Sequence, residues 1–144
     1  MTIDDGLNPA IRALSTVPYF ANLDAALIET IAQQMKVQRY DTGQVVFLEG
    51  EQDVALYIVR SGWLKAVKTS PDGREQVLHF IGQGEVFNAI GVFVESANPA
   101  TVIALEPTTV WTVQQSVILR LLDQHPELAR VIIQRLAERV QQLI

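Results

Sequence analysis

Hydrophobic residues recur along the chain with three successive spacings, and each spacing predicts a different kind of element. Between residues 8 and 35 they recur every three or four positions, as in amphipathic helices. From residue 36 to residue 113 they form short runs rich in Val, Ile, Phe, Tyr and Trp, separated by DTG, EG, SG, PDG and GQG. Such runs predict the strands of a sandwich or barrel. Helical spacing returns from residue 114, so we expect N-terminal helices over 1–35, a β-rich part over 36–113 and C-terminal helices over 114–144, within one structural domain.

The turn signals within the β-rich part predict which strands are neighbours. Pro71-Asp72-Gly73 predicts a hairpin between WLKAVKT and REQVLHFI. Alternate side chains in VLHFI are largely apolar on both faces, so we expect this second strand to be covered on both sides. TVIAL and TTVWTV are expected to form the last pair of strands.

The final segment, PELARVIIQRLAERVQQLI, begins with Pro126 and contains no glycine, so it predicts one helix about 28 Å long. Its broad apolar stripe has charged residues on its flanks, as at the edges of a coiled coil. We therefore predict a parallel homodimer, with an ordinary helix packed on its own domain as the alternative. The predicted seam comprises Leu128, Ile132, Leu136, Val140 and Leu143. Because the periodicity is still strong at Ile144, we expect the natural chain to continue beyond it.

Composition excludes several classes of protein. The formal net charge is −5 and the eleven Lys and Arg residues form no basic stripe, so this chain alone is not expected to grip DNA. The absence of Cys excludes disulfides, Cys-ligated zinc and iron–sulfur clusters. The acidic N-terminus lacks the apolar run of a signal peptide, and no segment is long and apolar enough to cross a membrane. We expect a soluble, cytoplasmic protein with no membrane partner.

Catalytic and metal-binding arrangements are also missing from the sequence. No Ser-His-Asp set, H-E-x-x-H motif or close carboxylate pair is recognisable, so no enzyme is predicted. A cupin-type metalloenzyme is the natural rival, but it needs two or three inward histidines, and the strands contain only His79. His125 precedes a proline at a helix junction and is expected to cap the helix. No metal site is predicted.

The order of elements, together with an ordered series of glycines, resembles the sensor domain of CRP/FNR-type bacterial transcription regulators, which is similar to the cyclic-nucleotide-binding domain. The glycines are Gly43, Gly50, Gly62, Gly73, Gly82 and Gly84. The resemblance covers essentially the whole chain. It implies a mainly β fold with flanking helices, a double-stranded β-helix or jelly-roll β-roll with a long C-terminal dimerisation helix. In such regulators a helix-turn-helix domain follows, so DNA would be bound only through a domain that these residues do not encode.

In cyclic-nucleotide binders of this family, the counterpart of GEVFNAIGVFVESANPATVIA is the phosphate cassette, with the pattern F-G-E-x-A/S and, after a loop, R-x-A-T/S. The resemblance implies that the glycine and the helix N-terminus offer N–H groups to the phosphate, the glutamate binds the ribose and the arginine neutralises the phosphate. The corresponding residues here are Phe87, Asn88, Ala89, Ile90, Gly91, Asn98, Pro99, Ala100 and Thr101.

Both charged anchors of that pattern are absent. Asn88 stands at the glycine position, Ala89 at the glutamate position, and Asn98 (or Pro99 if the loop shifts by one) at the arginine position. Losing both anchors predicts cyclic AMP or cyclic GMP binding weaker by roughly 10²–10⁴-fold.

What the cassette holds stays open at this stage, and no cofactor is certain. Its apolar residues, Phe87, Ala89, Ile90, Val92 and Phe93, resemble family branches that sense nitric oxide through haem or take other small effectors. Haem needs an axial ligand such as His79, although a partly buried histidine hydrogen-bonded between strands is the simpler interpretation. A vestigial, self-filled pocket in a stand-alone interaction module is the other alternative, with Asn88 and Asn98 acting only as turn residues.

The predicted mechanism is that of a sensor with two states. The state of the pocket shifts the cassette helix, repacks it against the long helix and alters how a DNA-binding domain is presented. The effector itself is not identified by the sequence.

Overall fold

The structure is a computed structural model that describes residues 7–17 and 19–144. Its helices are α1 (Leu7–Ser15), α2 (Ala25–Gln33), α3 (Ala89–Val94), α4 (Gln115–Gln124) and α5 (Pro126–Leu143). Its strands are β1 (Lys36–Tyr40), β2 (Val45–Phe47), β3 (Ala55–Ser61), β4 (Leu64–Thr69), β5 (Glu75–Ile81), β6 (Val86–Phe87), β7 (Thr101–Ala104) and β8 (Thr108–Gln114). Lys36–Gln115 forms one compact unit, and the helices before and after it belong to a second.

Two antiparallel four-stranded sheets build the β-rich unit, within the part of the chain that the structure describes. Their strand orders are β1-β8-β3-β6 and β2-β7-β4-β5. Apolar side chains from both sheets share one buried cluster: Phe47, Ala55, Tyr57, Val59, Leu64, Ala66, Ile81, Phe87, Val102 and Val110. Non-consecutive strands are neighbours in both sheets, as in a jelly roll. The predicted fold class is confirmed.

The predicted hairpin is confirmed, but the predicted covering of its second strand is wrong. β4 and β5 pair antiparallel, and Gly73 takes a left-handed φ of 86° in the turn that joins them. β5 lies at the edge of its sheet, where it has a neighbour on one side, and only Ile81 of its seven residues is buried. Phe80, for example, is 56% exposed. Apolar composition therefore did not correspond to burial in this strand.

The expectation that TVIAL and TTVWTV pair with each other is also wrong. β7 lies between β2 and β4, whereas β8 lies between β1 and β3 in the other sheet. The chain changes sheet between them, close to the turn between β3 and β4. There a Cβ on Gly62 would lie 2.4 Å from Thr108 Oγ1, and the φ of Gly62 is +100°. Glycine is required because the two sheet-switching turns approach so closely.

The helix starts follow local capping signals in one case and not in another. The Asp24 side chain accepts a hydrogen bond from the Leu27 N–H at 3.0 Å and caps α2, as Asp at this position does. His125 occupies the position before α5, but its side chain makes no capping hydrogen bond. Its Nδ1 lies 3.3 Å from Glu127 Oε1 instead, so the predicted capping role is wrong.

The last helix, α5, runs without interruption as predicted, but its apolar stripe is divided between the interior and the surface. Leu128 and Ile132 are buried in the single chain, which removes them from any surface that a second copy could reach. Ile133 and Val140 are 66% and 58% exposed, and Leu143 is exposed as well. The dimer seam itself stays a prediction, with two of its five residues already packed within the single chain. Among the described residues, no helix has the length and apolar character needed to cross a membrane.

Candidate functional site

The segment singled out by the sequence lies between β6 and β7. Asn88 connects β6 to the short helix α3, and a loop from residue 95 to residue 100 returns the chain to β7. Asn88 and Asn98 are brought together, with Asn88 Nδ2 2.9 Å from Asn98 Oδ1. Ile90, which was expected to line the site, is exposed, whereas Gly91 and Val92 are buried.

Asn88 has the backbone conformation that the family pattern gives to glycine. Its φ is 72° and its ψ is 20°, in the left-handed region that asparagine tolerates better than most residues. Its Nδ2 also donates to the Ala55 carbonyl of β3 at 2.9 Å. Substitution of glycine by asparagine thus keeps the turn into α3 and adds a side chain that ties this turn to β3.

Asn98, at the arginine position, has its side chain in the protein interior. It is 2% exposed, and its Nδ2 lies 3.4 Å from the Asp53 carbonyl oxygen. Its backbone N–H donates to the Glu51 carbonyl at 2.9 Å, and its own carbonyl accepts from the Gly50 N–H at 2.8 Å. Both polar groups of the side chain and both of the backbone are therefore engaged within the protein. Pro99, the alternative counterpart of the arginine, has no polar side-chain group at all.

The connection between β2 and β3 is bonded to the cassette loop through its backbone. Glu49, Glu51 and Asp53 lie in this connection, and it contains no Lys or Arg. The Glu49 N–H donates to Thr101 Oγ1 at 2.9 Å, so the threonine of the cassette pattern is hydrogen-bonded to this same connection. The connection therefore supplies no cationic side chain for a bound phosphate.

Gln115, the first residue of α4, holds the other end of α3. Its Nε2 lies 3.2 Å from the Gly91 carbonyl oxygen and 3.1 Å from that of Val92. Its backbone N–H donates to the Val54 carbonyl at 3.1 Å. No sequence signal points to this role, because a Gln at the start of a helix is most simply a solvent-exposed residue.

Tyr57 is a second site residue that the sequence analysis did not single out. It lies on β3, is buried and packs in the aromatic cluster with Phe47 and Phe87. Burial raises the pKa of the Tyr57 phenol far above its usual value, and the nearby Tyr40, Asp53 and Glu51 raise it further. The phenol therefore stays neutral across the physiological range.

His79 is placed differently from the expectation of a partly buried, hydrogen-bonded histidine. It is exposed on β5, opposite Ala66 in the ladder, and makes no side-chain hydrogen bond among the described residues. That expectation is wrong. In residues 7–17 and 19–144, no three His, Cys, Asp or Glu side chains come together as metal ligands would.

Comparisons with known proteins identify the family and the fold. A family model described as the cyclic nucleotide-binding domain matches residues 37–125. The chain is 31% identical over 104 residues to the lysophospholipase nte1 of Aspergillus terreus, which covers 72% of the chain and 7% of that protein. It is 24% identical over 127 residues to a CRP-like cAMP-activated global transcriptional regulator of Mycobacterium tuberculosis, covering 88% of the chain and 57% of the regulator.

A solved structure of similar extent is the sensor domain of the transcriptional regulator DNR from Pseudomonas aeruginosa. It superposes with a TM-score of 0.80 at 25% identity, covering 91% of this chain and 88% of that one. The chain thus spans a small part of the lysophospholipases and about half of the regulator, but nearly all of an isolated sensor domain.

Proposed function

Because the chain belongs to the cyclic nucleotide-binding domain family, we propose that it is the effector-sensing domain of a CRP/FNR-type transcription regulator whose cassette does not bind cyclic AMP or cyclic GMP. One observation carries the proposal. Asn98, which stands where the pattern has the phosphate-neutralising arginine, is buried and hydrogen-bonded inside the chain.

The energetics of the cassette support this specificity. A charge-assisted hydrogen bond contributes about 1.5–3 kcal/mol, and Ala89 and Asn98 supply no charge for one. The connection between β2 and β3 contains no Lys or Arg that could replace the missing charge. Starting from a micromolar binder, the two losses together bring the dissociation constant to about 0.1–10 mM. Cyclic nucleotides would then not be physiological ligands.

Dimerisation through α5 is part of the proposal, in a register revised from the sequence. The exposed and half-buried apolar residues Ile133, Leu136, Val140 and Leu143 follow alternating steps of three and four. β-Branched residues thus occupy a positions and leucines occupy d positions, which favours a parallel two-stranded coiled coil. A second copy of α5 would cover these side chains, and DNA would be bound by a domain outside these residues.

A stand-alone interaction module with a self-filled pocket is the second candidate. The buried cluster of Phe47, Tyr57 and Phe87 favours it, because the chain's own rings fill the roll beside the cassette. No catalytic role is proposed for either candidate, since the family is one of regulatory binding domains.

Thermal unfolding in the presence of nucleotide tests the proposal. A ligand that binds only the folded state raises the midpoint, whereas one with a millimolar dissociation constant gives almost no shift at micromolar concentration. We expect no shift with about 10 µM cyclic AMP or cyclic GMP, with the cAMP-activated regulator of M. tuberculosis as the positive control. A clear upward shift would contradict the proposal.

An absorbance spectrum of the protein from its native host distinguishes the haem alternative, which predicts a Soret band.

A further inference from the structure

Three segments of the β-rich unit meet at the two asparagines of the cassette. Asn88 precedes α3, Asn98 lies in the loop before β7, and the carbonyls of Asp53 and Ala55 belong to the connection into β3 and to its first residue. The Asn88 side chain bonds Asn98 and the Ala55 carbonyl, and the Asn98 side chain bonds Asn88 and the Asp53 carbonyl. Since a carbonyl can only accept, each asparagine must turn its amide nitrogen toward its carbonyl partner. Both orientations are therefore fixed by chemistry.

The two sides of this junction are held in different ways. The Asn98 loop is joined to the connection by backbone bonds as well, from the Asn98 N–H to the Glu51 carbonyl and from the Gly50 N–H to the Asn98 carbonyl. The strand before α3 ends at Phe87, which pairs with Tyr57 of β3, and beyond this pairing the Asn88 side chain bonds the helix start to β3 and to the loop. That side chain is therefore a tether at the beginning of the cassette helix.

We propose that Asn88 and Asn98 form a clasp that closes the cassette without any ligand. The family resemblance implies that a bound phosphate joins the helix start to the loop by accepting from both. Here a neutral side chain on each side makes that junction directly, and no buried side-chain polar atom of the described residues is left without a partner. The closed position of α3 is a property of the chain, and an effector that moves α3 must break the clasp.

The clasp goes beyond the proposed function, because it concerns the protein with no ligand present. The test of the clasp therefore does not depend on which effector binds. Asn88→Gly removes the tether while keeping a residue that accepts the φ of 72°. Asn98→Ala removes its partner without changing the backbone at residue 88. Combining the two substitutions completes a double-mutant cycle.

Amide hydrogen exchange of the ligand-free protein measures the opening of the clasp. The reporter is the Val92 N–H, which donates to the Asn88 carbonyl at 3.3 Å in the first turn of α3. Each single variant is expected to raise its exchange rate by about threefold to tenfold, the size of one or two net hydrogen bonds. The increase in exchange rate in the double variant should be smaller than the product of the two single-variant increases. Either substitution alone already breaks the bond between Asn88 and Asn98.

Two controls separate local opening from general destabilisation. The Val59 N–H, which donates to the Glu85 carbonyl at 2.9 Å, should be unaffected in every variant. Ser96→Ala, an exposed change in the same loop, should leave Val92 unchanged. The clasp would be overturned if the Val92 N–H exchanged at an unchanged rate in Asn88→Gly. It would also be overturned if the rate increase in the double variant equalled the product of the two single-variant increases. Should Asn98→Ala fail to fold, Asn88→Gly alone still decides whether the tether exists.

Discussion

The ring of Tyr57 stacks on the ring of Phe87, with centroids 4.8 Å apart and planes inclined by 11°. Phe47 completes the cluster, with its centroid 5.3 Å from that of Tyr57 and 6.2 Å from that of Phe87. Phe87 directly precedes Asn88, so the cluster fixes the residue from which the cassette departs. The same β3 strand that receives the Asn88 side chain thus also receives the ring before it.

Truncating Phe87 should therefore destabilise the whole domain. Phe87→Ala removes a buried ring and leaves a cavity, and such changes lower the free energy of unfolding by about 3–5 kcal/mol. Urea unfolding measures the loss. The matched control is Phe80→Ala on β5, where the ring is mostly exposed and the expected loss is below about 1 kcal/mol. Equal losses in the two variants would show that Phe87 is not part of the core.

The raised pKa of Tyr57 predicts how stability changes in alkali. Burial makes the folded pKa higher than the unfolded value of about 10, so the folded state holds this proton more tightly. The resulting stabilisation of the folded state is complete below about pH 10, and it is lost as the pH rises from there toward the folded pKa. We expect the free energy of unfolding to fall above about pH 10, by at most about 1.4 kcal/mol per pH unit from this group.

Tyr57→Phe isolates this effect, because phenylalanine keeps the ring and has no proton to lose. The decline in the free energy of unfolding above pH 10 should be shallower in the variant than in the parent, with Tyr40 still titrating in both. Identical alkaline slopes for the two proteins would mean that the phenol is not held in its neutral form by the fold.

The register proposed for α5 predicts which substitutions should prevent dimerisation. Val140→Glu places a charge in the middle of the exposed stripe, and light scattering should then report a monomer. Gln141→Glu adds the same charge one residue further, outside the a and d positions, and should leave the dimer intact. Ile133→Glu should also give monomers, which the register first predicted from the sequence does not require. A dimer that survives both seam substitutions would argue against pairing through α5.

Gln115 should contribute more to the free energy of unfolding than its place at the start of a helix suggests. Gln115→Ala removes the two contacts from its Nε2 to the Gly91 and Val92 carbonyls, with an expected loss of about 1–2 kcal/mol in the free energy of unfolding. Gln115→Glu keeps the size but replaces the donor by an acceptor, so it should cost at least as much. Gln124→Ala, at the exposed other end of α4, serves as the control with little effect. No difference between residues 115 and 124 in urea unfolding would contradict the role of Gln115.

The sequence predicted the features that depend on local chemistry. The turn at residues 71–73 and the proline at the start of α5 are each decided by residues within one turn of the chain. The glycine series led to the correct fold class, because several of those glycines have left-handed dihedrals that other residues resist. The predicted cassette spans β6, α3 and the start of β7, and its binding role stays a prediction.

The features that the sequence did not predict depend on long-range partners. Whether β7 and β8 pair with each other or with other strands is decided by β1 to β4, far away along the chain. The exposure of β5 follows from its place at a sheet edge, which its composition does not encode. The bond between Asn88 and Asn98 depends on how the intervening loop folds back, and the contacts of Gln115 depend on where α4 begins.

The most direct measurement of the central claim compares hydrogen exchange across the cassette with and without cyclic AMP. We predict that the amides of α3 and of the loop around Asn98 are already protected in the ligand-free protein, and that micromolar cyclic AMP (about 10 µM), enough to occupy a micromolar binder, leaves their rates unchanged. Rapid exchange in the free protein that becomes slow on adding cyclic AMP would contradict the account, because the nucleotide and not the asparagine pair would then close the cassette.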